Sequence, residues 1–227
     1  MRQRVWAGIV AAVVGMAALH AAADDKQLVY ADFEKVENGR PVSSRGGPIS
    51  LWSYEEDKVH KATYKGAADV DPPVPELVHV KPGDPNHAAK FDYVLAAPNQ
   101  YAGVAMEILG RPDADGRPQT DDVSGYKYLS MQVYATGIRI MRVETRTNES
   151  GKDTRSVYPQ YPFQVKPGFN TYRLPLDKFT QPSYADIRVD PKDVLRKLTS
   201  VAVSAFCDQC EQTQQGMVIV DNITFEK

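Results

Sequence analysis

Short runs of β-branched and aromatic residues recur from Leu28 to the end of the chain, and clusters of Gly, Pro and Asn separate them. Such runs are typical of strands bounded by turns, and convincing helical periodicity is almost absent. The pattern predicts an all-β sandwich of two packed sheets. The expected strands are residues 28–34, 49–56, 61–65, 89–95, 102–109, 128–135, 139–146, 161–165, 171–176, 200–206 and 217–225.

Turn chemistry marks the gaps between these runs, because glycine supplies positive φ and proline presets φ. A short helix is expected over residues 191–198, with Asp190 as its N-cap and Pro191 in the first helical position. Residues 66–86 contain several prolines and are expected to form a long loop. The predicted turns are Asn38-Gly39, Pro82-Gly83, Asp115-Gly116, Ser150-Gly151 and Pro167-Gly168.

The first 23 residues have the layout of a secretory signal peptide. Arg2 and Arg4 precede an apolar run over residues 5–19, and Ala21 and Ala23 form a small-residue cleavage site. The run is short for a bilayer span, which requires about 20 apolar residues. The sequence predicts export to the periplasm or the exterior, and one domain over residues 24–227.

Composition and charge exclude some classes of function. A hydrophobic fraction of 42% and a charged fraction of 25% are ordinary for a globular protein and argue against disorder. The chain has 27 basic and 29 acidic residues, so losing Arg2 and Arg4 with the leader gives a net charge of −4. A negative surface does not attract the phosphate backbone, and no nucleic-acid partner is expected.

Cys207 and Cys210 are the two cysteines of the chain and form a Cys-Asp-Gln-Cys sequence. In an oxidising compartment, paired thiols tend to form a disulfide, which is the interpretation we favour. Redox activity and metal binding remain alternatives. Glu211 occupies the position where a c-type haem site requires histidine, and no second cysteine pair completes a zinc site.

Alternation assigns side chains to the two faces of each strand. Leu129, Met131 and Val133 should face the core, which places Tyr128, Gln132 and Tyr134 on the opposite face. In the next strand Met141 and Val143 should point inward, and the polar members of that strand point outward. If the two strands are neighbours, they share one polar and aromatic outer face, formed by Tyr128, Gln132, Tyr134, Arg142, Glu144 and Arg146.

That outer face has two interpretations. It is either a solvated sheet face with cross-strand ion pairs or a groove in which tyrosines lie against sugar rings while Arg and Glu bind hydroxyls. Motifs of hydrolases, phosphate-binding loops and dinucleotide folds are missing from the sequence, and His60, His79 and His87 lack metal-ligand spacing. We therefore expect a protein without catalytic activity.

Four segments resemble a known fold family when taken in order: residues 28–34 (LVYADFE), 122–131 (DVSGYKYLSM), 168–179 (GFNTYRLPLDKF) and 218–225 (VIVDNITF). They resemble the galactose-binding-like jelly roll, as found in family 11 carbohydrate-binding modules and the complex I intermediate-associated protein family. The resemblance implies a jelly-roll β-sandwich. It also implies a structural calcium ion held by an acid from the first strand and an Asp in the last strand, here Glu34 and Asp221.

Together these features predict an exported carbohydrate-binding protein that uses a concave sheet face to bind a polysaccharide or oligosaccharide. The alternative is a protein-binding or assembly-factor role for the same fold, as the second family implies. A fold does not determine a function, and the two roles differ in surface shape. A sugar site is a groove with aromatic faces, whereas a protein site is a flatter apolar patch.

Export should remove the first 23 residues, because Ala21 and Ala23 fit the small-residue requirement of the cleavage site and Asp24 begins the polar part of the chain. Mass spectrometry of exported protein should show a new N-terminus at Asp24. Recovery of intact Met1 in the membrane fraction would refute this prediction.

Overall fold

Strands form most of the chain that the structure describes. The structure is a computed structural model that describes residues 26–54, 73–107, 119–147, 158–207 and 212–227, together with the backbone of 63–65. The strands are β1 (Gln27–Ala31), β2 (Val36–Glu37), β3 (Arg40–Pro41), β4 (Ile49–Tyr54), β5 (Thr63–Lys65), β6 (Glu76–His79), β7 (His87–Leu95), β8 (Tyr101–Glu107), β9 (Tyr128–Ala135), β10 (Ile140–Arg146), β11 (Gln160–Gln164), β12 (Asn170–Pro175), β13 (Ser200–Phe206) and β14 (Gln214–Glu226). One short helix, α1 (Pro191–Arg196), and a 3₁₀ turn at Leu176–Lys178 accompany them.

The strands form two antiparallel sheets and one small hairpin. The seven-stranded sheet has the order β12-β9-β14-β7-β5, with β1 also paired to β14 and β6 also paired to β7. The five-stranded sheet has the order β11-β10-β13-β8-β4. β14 is the longest strand and pairs with β9 on one side and with β7 and then β1 on the other. This architecture is a jelly-roll β-sandwich, as the sequence predicted.

One apolar core lies between the two sheets. Leu129, Met131 and Val133 of the seven-stranded sheet and Met141 and Val143 of the five-stranded sheet are fully buried in it. Burying an apolar side chain of this size contributes about 1.5–3 kcal/mol relative to leaving it exposed. The alternation predicted for β9 and β10 is therefore confirmed, and the residues between these positions point away from the core on both sheets.

Most of the expected strands occur with their ends shifted by a few residues, and β9 and β13 have the expected bounds. Asp190 caps α1 by accepting a hydrogen bond from the Lys192 amide, with Pro191 in the first turn. Asn38, Gly39, Gly83 and Gly168 have positive φ, as the predicted turns require. The expected turns at Asp115-Gly116 and Ser150-Gly151, and the expected signal peptide, lie outside the described residues.

The expectation of one long loop over residues 66–86 is wrong in part, because β6 (Glu76–His79) lies within it. β6 pairs with the first half of β7, and β5 pairs with the second half on the same side. A short edge strand needs pairing along one side only, so the prolines around it do not prevent it from forming. Within the described residues, no helix combines the length and apolar character needed to cross a membrane.

Gly216→Ala should destabilise the protein, because a Cβ atom at Gly216 would overlap the carbonyl oxygen of Thr136. Overpacking of this kind costs about 1–3 kcal/mol in the free energy of unfolding. The matched control is Gly125→Ala, since no heavy atom lies within 4 Å of the Cβ it would add. The control should stay within about 0.5 kcal/mol of the parent in urea unfolding. Equal midpoints for both variants would contradict the packing described for Gly216.

Candidate functional site

Aromatic rings and arginines form a continuous stack on the outer face of the five-stranded sheet. The guanidinium of Arg142 lies 4.5 Å from the ring centre of Phe206 and 4.7 Å from that of Tyr101. Tyr101 meets Trp52 edge-on at 4.6 Å, and Trp52 lies 4.3 Å from the guanidinium of Arg146. The ring centre of Tyr158 lies 5.6 Å from the guanidinium of Arg146. We call this set of six side chains the arginine–aromatic belt: Trp52, Tyr101, Arg142, Arg146, Tyr158 and Phe206.

Glu144 joins the two arginines of the belt. Its Oε1 forms an ion pair with Nη2 of Arg142 at 3.1 Å, and its Oε2 accepts hydrogen bonds from Nε and Nη2 of Arg146 at 2.9 and 2.7 Å. The side chains of Arg142 and Glu144 are only 5% and 7% exposed. Two guanidinium groups therefore share one carboxylate in a site that is largely withdrawn from water.

Small residues under the belt explain how such large groups are buried on an outer face. Gly103, Ala202 and Ser204 are buried on β8 and β13, the two strands between β10 and β4. A Cβ atom at Gly103 would overlap Val203 O and would lie 2.8 Å from Cβ of Ser204. Because these residues are small, side chains from β10 and β4 can extend over the middle of the sheet, where Arg146 contacts Trp52.

Three polar atoms on this face have no hydrogen-bond partner in the described part of the chain: Arg142 Nε, Ser204 Oγ and Trp52 Nε1. They lie in one row across the sheet, because Arg142 is in register with Ser204, Ser204 with Gly103, and Gly103 with Trp52. Arg142 is 4% and Ser204 1% exposed. Buried polar atoms without partners are uncommon, and each requires an explanation, such as a bound water or ion.

One further carboxylate lies on this face. Glu107 ends β8 and is in register with Ser200, which is itself in register with Arg146. Burial raises the pKa of Glu107 above its ordinary value. Neither arginine of the belt is ion-paired with it, so among the described residues Glu144 is the one carboxylate that pairs with the two guanidinium groups.

The expectation that β9 and β10 are neighbours is wrong. β9 pairs with β12 and β14, whereas β10 pairs with β11 and β13 of the other sheet. Because the core lies between the sheets, the six residues predicted to share one face divide between opposite sides of the sandwich. Tyr128, Gln132 and Tyr134 lie on the seven-stranded sheet, and Arg142, Glu144 and Arg146 lie on the five-stranded sheet.

The outer face of the seven-stranded sheet has an arginine of its own, Arg173, and this arginine is paired with a carboxylate, Glu226. The guanidinium of Arg173 lies 3.4 Å from the ring centre of Tyr128 and donates to Glu226 at 2.6 Å. The pKa of Arg173 is raised, chiefly by this hydrogen bond. One arginine and one carboxylate form this exposed pair, which is the ordinary solvated arrangement of a sheet face.

The sequence analysis missed the aromatic members of the belt. Alternation could have placed Trp52 and Phe206 opposite the core, since Leu51 and Ala205 beside them are buried in it. Tyr101 lies just before the expected strand 102–109, and Tyr158 lies before β11. No local sequence pattern shows which strands pair. The order β10-β13-β8-β4 in the sheet brings these residues together.

Glu34 and Asp221 lie near each other, because the consecutive residues Asn86 and His87 donate hydrogen bonds to Asp221 and to Glu34, respectively. Asp221 is fully buried, and its pKa is raised by desolvation and by the nearby charges of Glu34 and Asp32. Desolvation would raise the pKa of Glu34 as well, but hydrogen bonds from His87 outweigh it and lower that pKa. The two carboxylates are thus close enough to repel each other.

Both carboxylates accept hydrogen bonds from protein groups in this structure. Asp221 accepts from Asn86 Nδ2 at 2.7 Å and from the Asn222 amide at 2.7 Å, and Glu34 accepts from the His87 amide and ring. Calcium takes six to eight oxygen ligands. In the described ranges, no three carboxylate, histidine or cysteine side chains converge in a metal-binding group. Calcium binding therefore stays a prediction from the resemblance alone.

The predicted disulfide falls only in part on described residues. Cys207 follows β13 and is 3% exposed, and its amide donates to the carbonyl of Gln100 at 3.0 Å. Cys210 lies outside the described residues. The bridge stays a prediction.

The fold is similar to that of solved carbohydrate-binding modules. The family 11 module of the cellulosomal cellulase Lic26A-Cel5E of Clostridium thermocellum matches with a TM-score of 0.53 and 16% identity, over 88% of this chain and 94% of the module. The same values hold for a family 11 module in complex with a β-1,3-1,4-mixed-linked tetrasaccharide, with 95% of that module covered. The family 30 module of the cellulase Cel9D-Cel44B from that organism has a TM-score of 0.51 and 12% identity, over 80% and 93% of the two chains.

No protein-family model and no curated protein matches the sequence. At 12–16% identity the structural similarity establishes the fold and nothing finer. The chain therefore has the jelly-roll fold of carbohydrate-binding modules, and its function must be argued from its own residues.

Asp221→Ala should lower the free energy of unfolding by about 1–3 kcal/mol, because it leaves the Asn86 and Asn222 N–H groups without their acceptor. The exposed Asp177→Ala serves as control and should have little effect. The resemblance predicts that excess calcium raises the melting temperature of the parent above its value in chelator and that Asp221→Ala abolishes this rise. Equal melting temperatures of the parent in chelator and in excess calcium would refute the implied site.

Proposed function

We propose that this protein binds a polysaccharide or oligosaccharide on the outer face of the five-stranded sheet and carries out no catalysis there. The observation that carries the proposal is the arginine–aromatic belt above a row of unpartnered polar atoms. Sugar rings have apolar C–H faces and hydroxyl edges, so they require flat aromatic surfaces beside hydrogen-bonding groups. The belt offers both within one face, which we propose to be the concave binding face expected from the sequence.

The composition of the belt supports this proposal over a purely structural role. Trp52, Tyr101, Tyr158 and Phe206 are each half-buried, so their rings keep part of their surface available. The similar modules support it too, since one of them is described in complex with a tetrasaccharide. Of the sequence-predicted ligand residues, Arg142, Glu144 and Arg146 belong to this proposed site, whereas Tyr128, Gln132 and Tyr134 do not.

The described surface gives less support to a protein-binding role. A protein-docking face requires a contiguous exposed apolar patch. The exposed large apolar side chains are Val29, Val36, Ile140 and Tyr184, and they lie on different elements. Glycoside hydrolysis would require two available carboxylates at one cleft, whereas both oxygens of Glu144 are paired with arginine.

Trp52→Ala should weaken glycan binding by about 1–2 kcal/mol, or five- to thirtyfold in Kd, because it removes one ring of the belt. A glycan array that includes a β-1,3-1,4-linked tetrasaccharide would select the ligand, and titration calorimetry would measure the affinity. The matched control is Tyr134→Ala, a half-buried tyrosine on the outer face of the other sheet. The control should bind like the parent.

Two outcomes are decisive, and one control applies to both. If the protein binds none of the glycans on the array, the proposed function is refuted. Loss of binding in Tyr134→Ala but not in Trp52→Ala would move the site to the seven-stranded sheet. Circular dichroism of each variant must match the parent, because a ring that is half-buried also contributes to stability.

A further inference from the structure

We propose that the glycan bound by the belt is acidic and that a carboxylate of the sugar, as in a uronic acid, binds against Arg142 and Arg146. This inference rests on the proposed function and specifies the ligand class of that site. It follows from two independent properties of the face, its charge and its surplus of hydrogen-bond donors.

The first property is an unbalanced positive charge. Arg142 and Arg146 share the single carboxylate of Glu144, so the three side chains carry one net positive charge. The side chains of Arg142 and Arg146 are only 5% and 19% exposed. A charge withdrawn from water is costly unless an opposite charge compensates it. Contacts with aromatic rings reduce that cost, but rings are neutral and cannot cancel the charge.

Glu107, the other carboxylate described on this face, does not supply this compensation. Glu107 is separated from Arg146 by β13, which places their backbones two strand spacings, or about 9–10 Å, apart. Neither arginine forms an ion pair with it. Among the described residues only Glu144 is ion-paired with Arg142 and Arg146, so a ligand can provide the missing negative charge.

The second property is the chemistry of the unpartnered row. Arg142 Nε and Trp52 Nε1 can only donate hydrogen bonds, and the Ser204 hydroxyl can donate as well. A neutral sugar hydroxyl both donates and accepts, whereas a carboxylate only accepts. Guanidinium groups also match the planar geometry of a carboxylate better than any other side chain does. An acceptor-only anionic ligand is therefore the best complement to this row.

The opposite face of the sandwich provides an internal comparison. There Arg173 also stacks on a tyrosine ring, but it has a carboxylate of its own in Glu226. That cluster is neutral overall and lies at an exposed position. The chain as a whole is negative, with a formal charge of −2, so it has no general attraction for acidic polymers. Binding of an acidic glycan would therefore be due to the belt and not to the net charge of the protein.

The test compares acidic polymers with their neutral counterparts on the purified mature protein. The probes are polygalacturonate, alginate and glucuronoxylan, each beside its methyl-esterified or carboxyl-reduced form, and a sulfated galactan beside its desulfated form. Hydrogen bonds to a charged group exceed neutral ones by about 1.4 kcal/mol, so at least one polyuronate should bind about tenfold more tightly than its neutral form. Affinity electrophoresis and calorimetry measure the difference.

Two variants assign the preference to the belt. Arg146→Gln should lower the preference for the acidic polymer by about tenfold, because it removes one positive charge from the face. Trp52→Phe should lower it less, because it removes the indole N–H and keeps a ring. Arg173→Gln is the matched control on the other sheet and should retain the full preference. Arg142→Gln is avoided as the sole test, since Arg142 is buried and the variant can fail to fold.

The outcomes separate the two proposals. Equal binding of acidic and neutral forms overturns the acidic-ligand inference and leaves the proposed function standing. Preference for the sulfated galactan alone overturns the assignment to a carboxylate. Failure to bind any acidic or neutral glycan overturns both proposals. A preference that Arg173→Gln loses and Arg146→Gln keeps places the anion site on the other face and refutes the inference.

Discussion

The arginine–aromatic belt depends on the small side chains at the centre of the five-stranded sheet. β13 has valines and alanine toward the core and Ala202 and Ser204 on its outer side, and β8 has Gly103 beside them. A methyl group at Gly103 would collide with the β13 backbone and side chain. Because Gly103, Ala202 and Ser204 are small, the side chains of Arg142 and Trp52 have room over the centre of the sheet. Larger side chains at these three positions would push both into water and separate the guanidinium groups from the rings.

Burial of charge follows directly from that geometry and has an energetic consequence. A buried ion pair often contributes no more stability than apolar residues of the same volume, since desolvation offsets the attraction between the charges. Arg142, Glu144 and Arg146 are therefore poorly explained as a stabilising device, especially on an outer sheet face where solvated side chains would suffice. A triad with a surplus charge and an unpartnered Nε on Arg142 is better explained by recognition of something that brings its own negative charge.

The sequence predicts the inner face of each strand better than the neighbours of each strand. Alternation placed Met131 and Met141 correctly in the core, because the inward and outward environments differ locally at each position. It could not show that the link between Ala135 and Ile140 carries the chain from one sheet to the other. Sheet membership depends on contacts between distant residues, such as Val203 with Val143 and with Val104. Half of the predicted site consequently falls on the opposite side of the sandwich.

The two outer faces of the sandwich hold their arginines in different surroundings. Each carries arginine stacked on tyrosine, so residue type alone does not distinguish them. They differ in charge balance and in burial: Arg173 is half exposed with its own carboxylate, whereas Arg142 is buried and shares one. Salt and water screen the first pair, so it interacts weakly with any partner. The second is buried and therefore screened much less. For that reason the proposed site would favour an acidic over a neutral ligand, although the protein as a whole is negative.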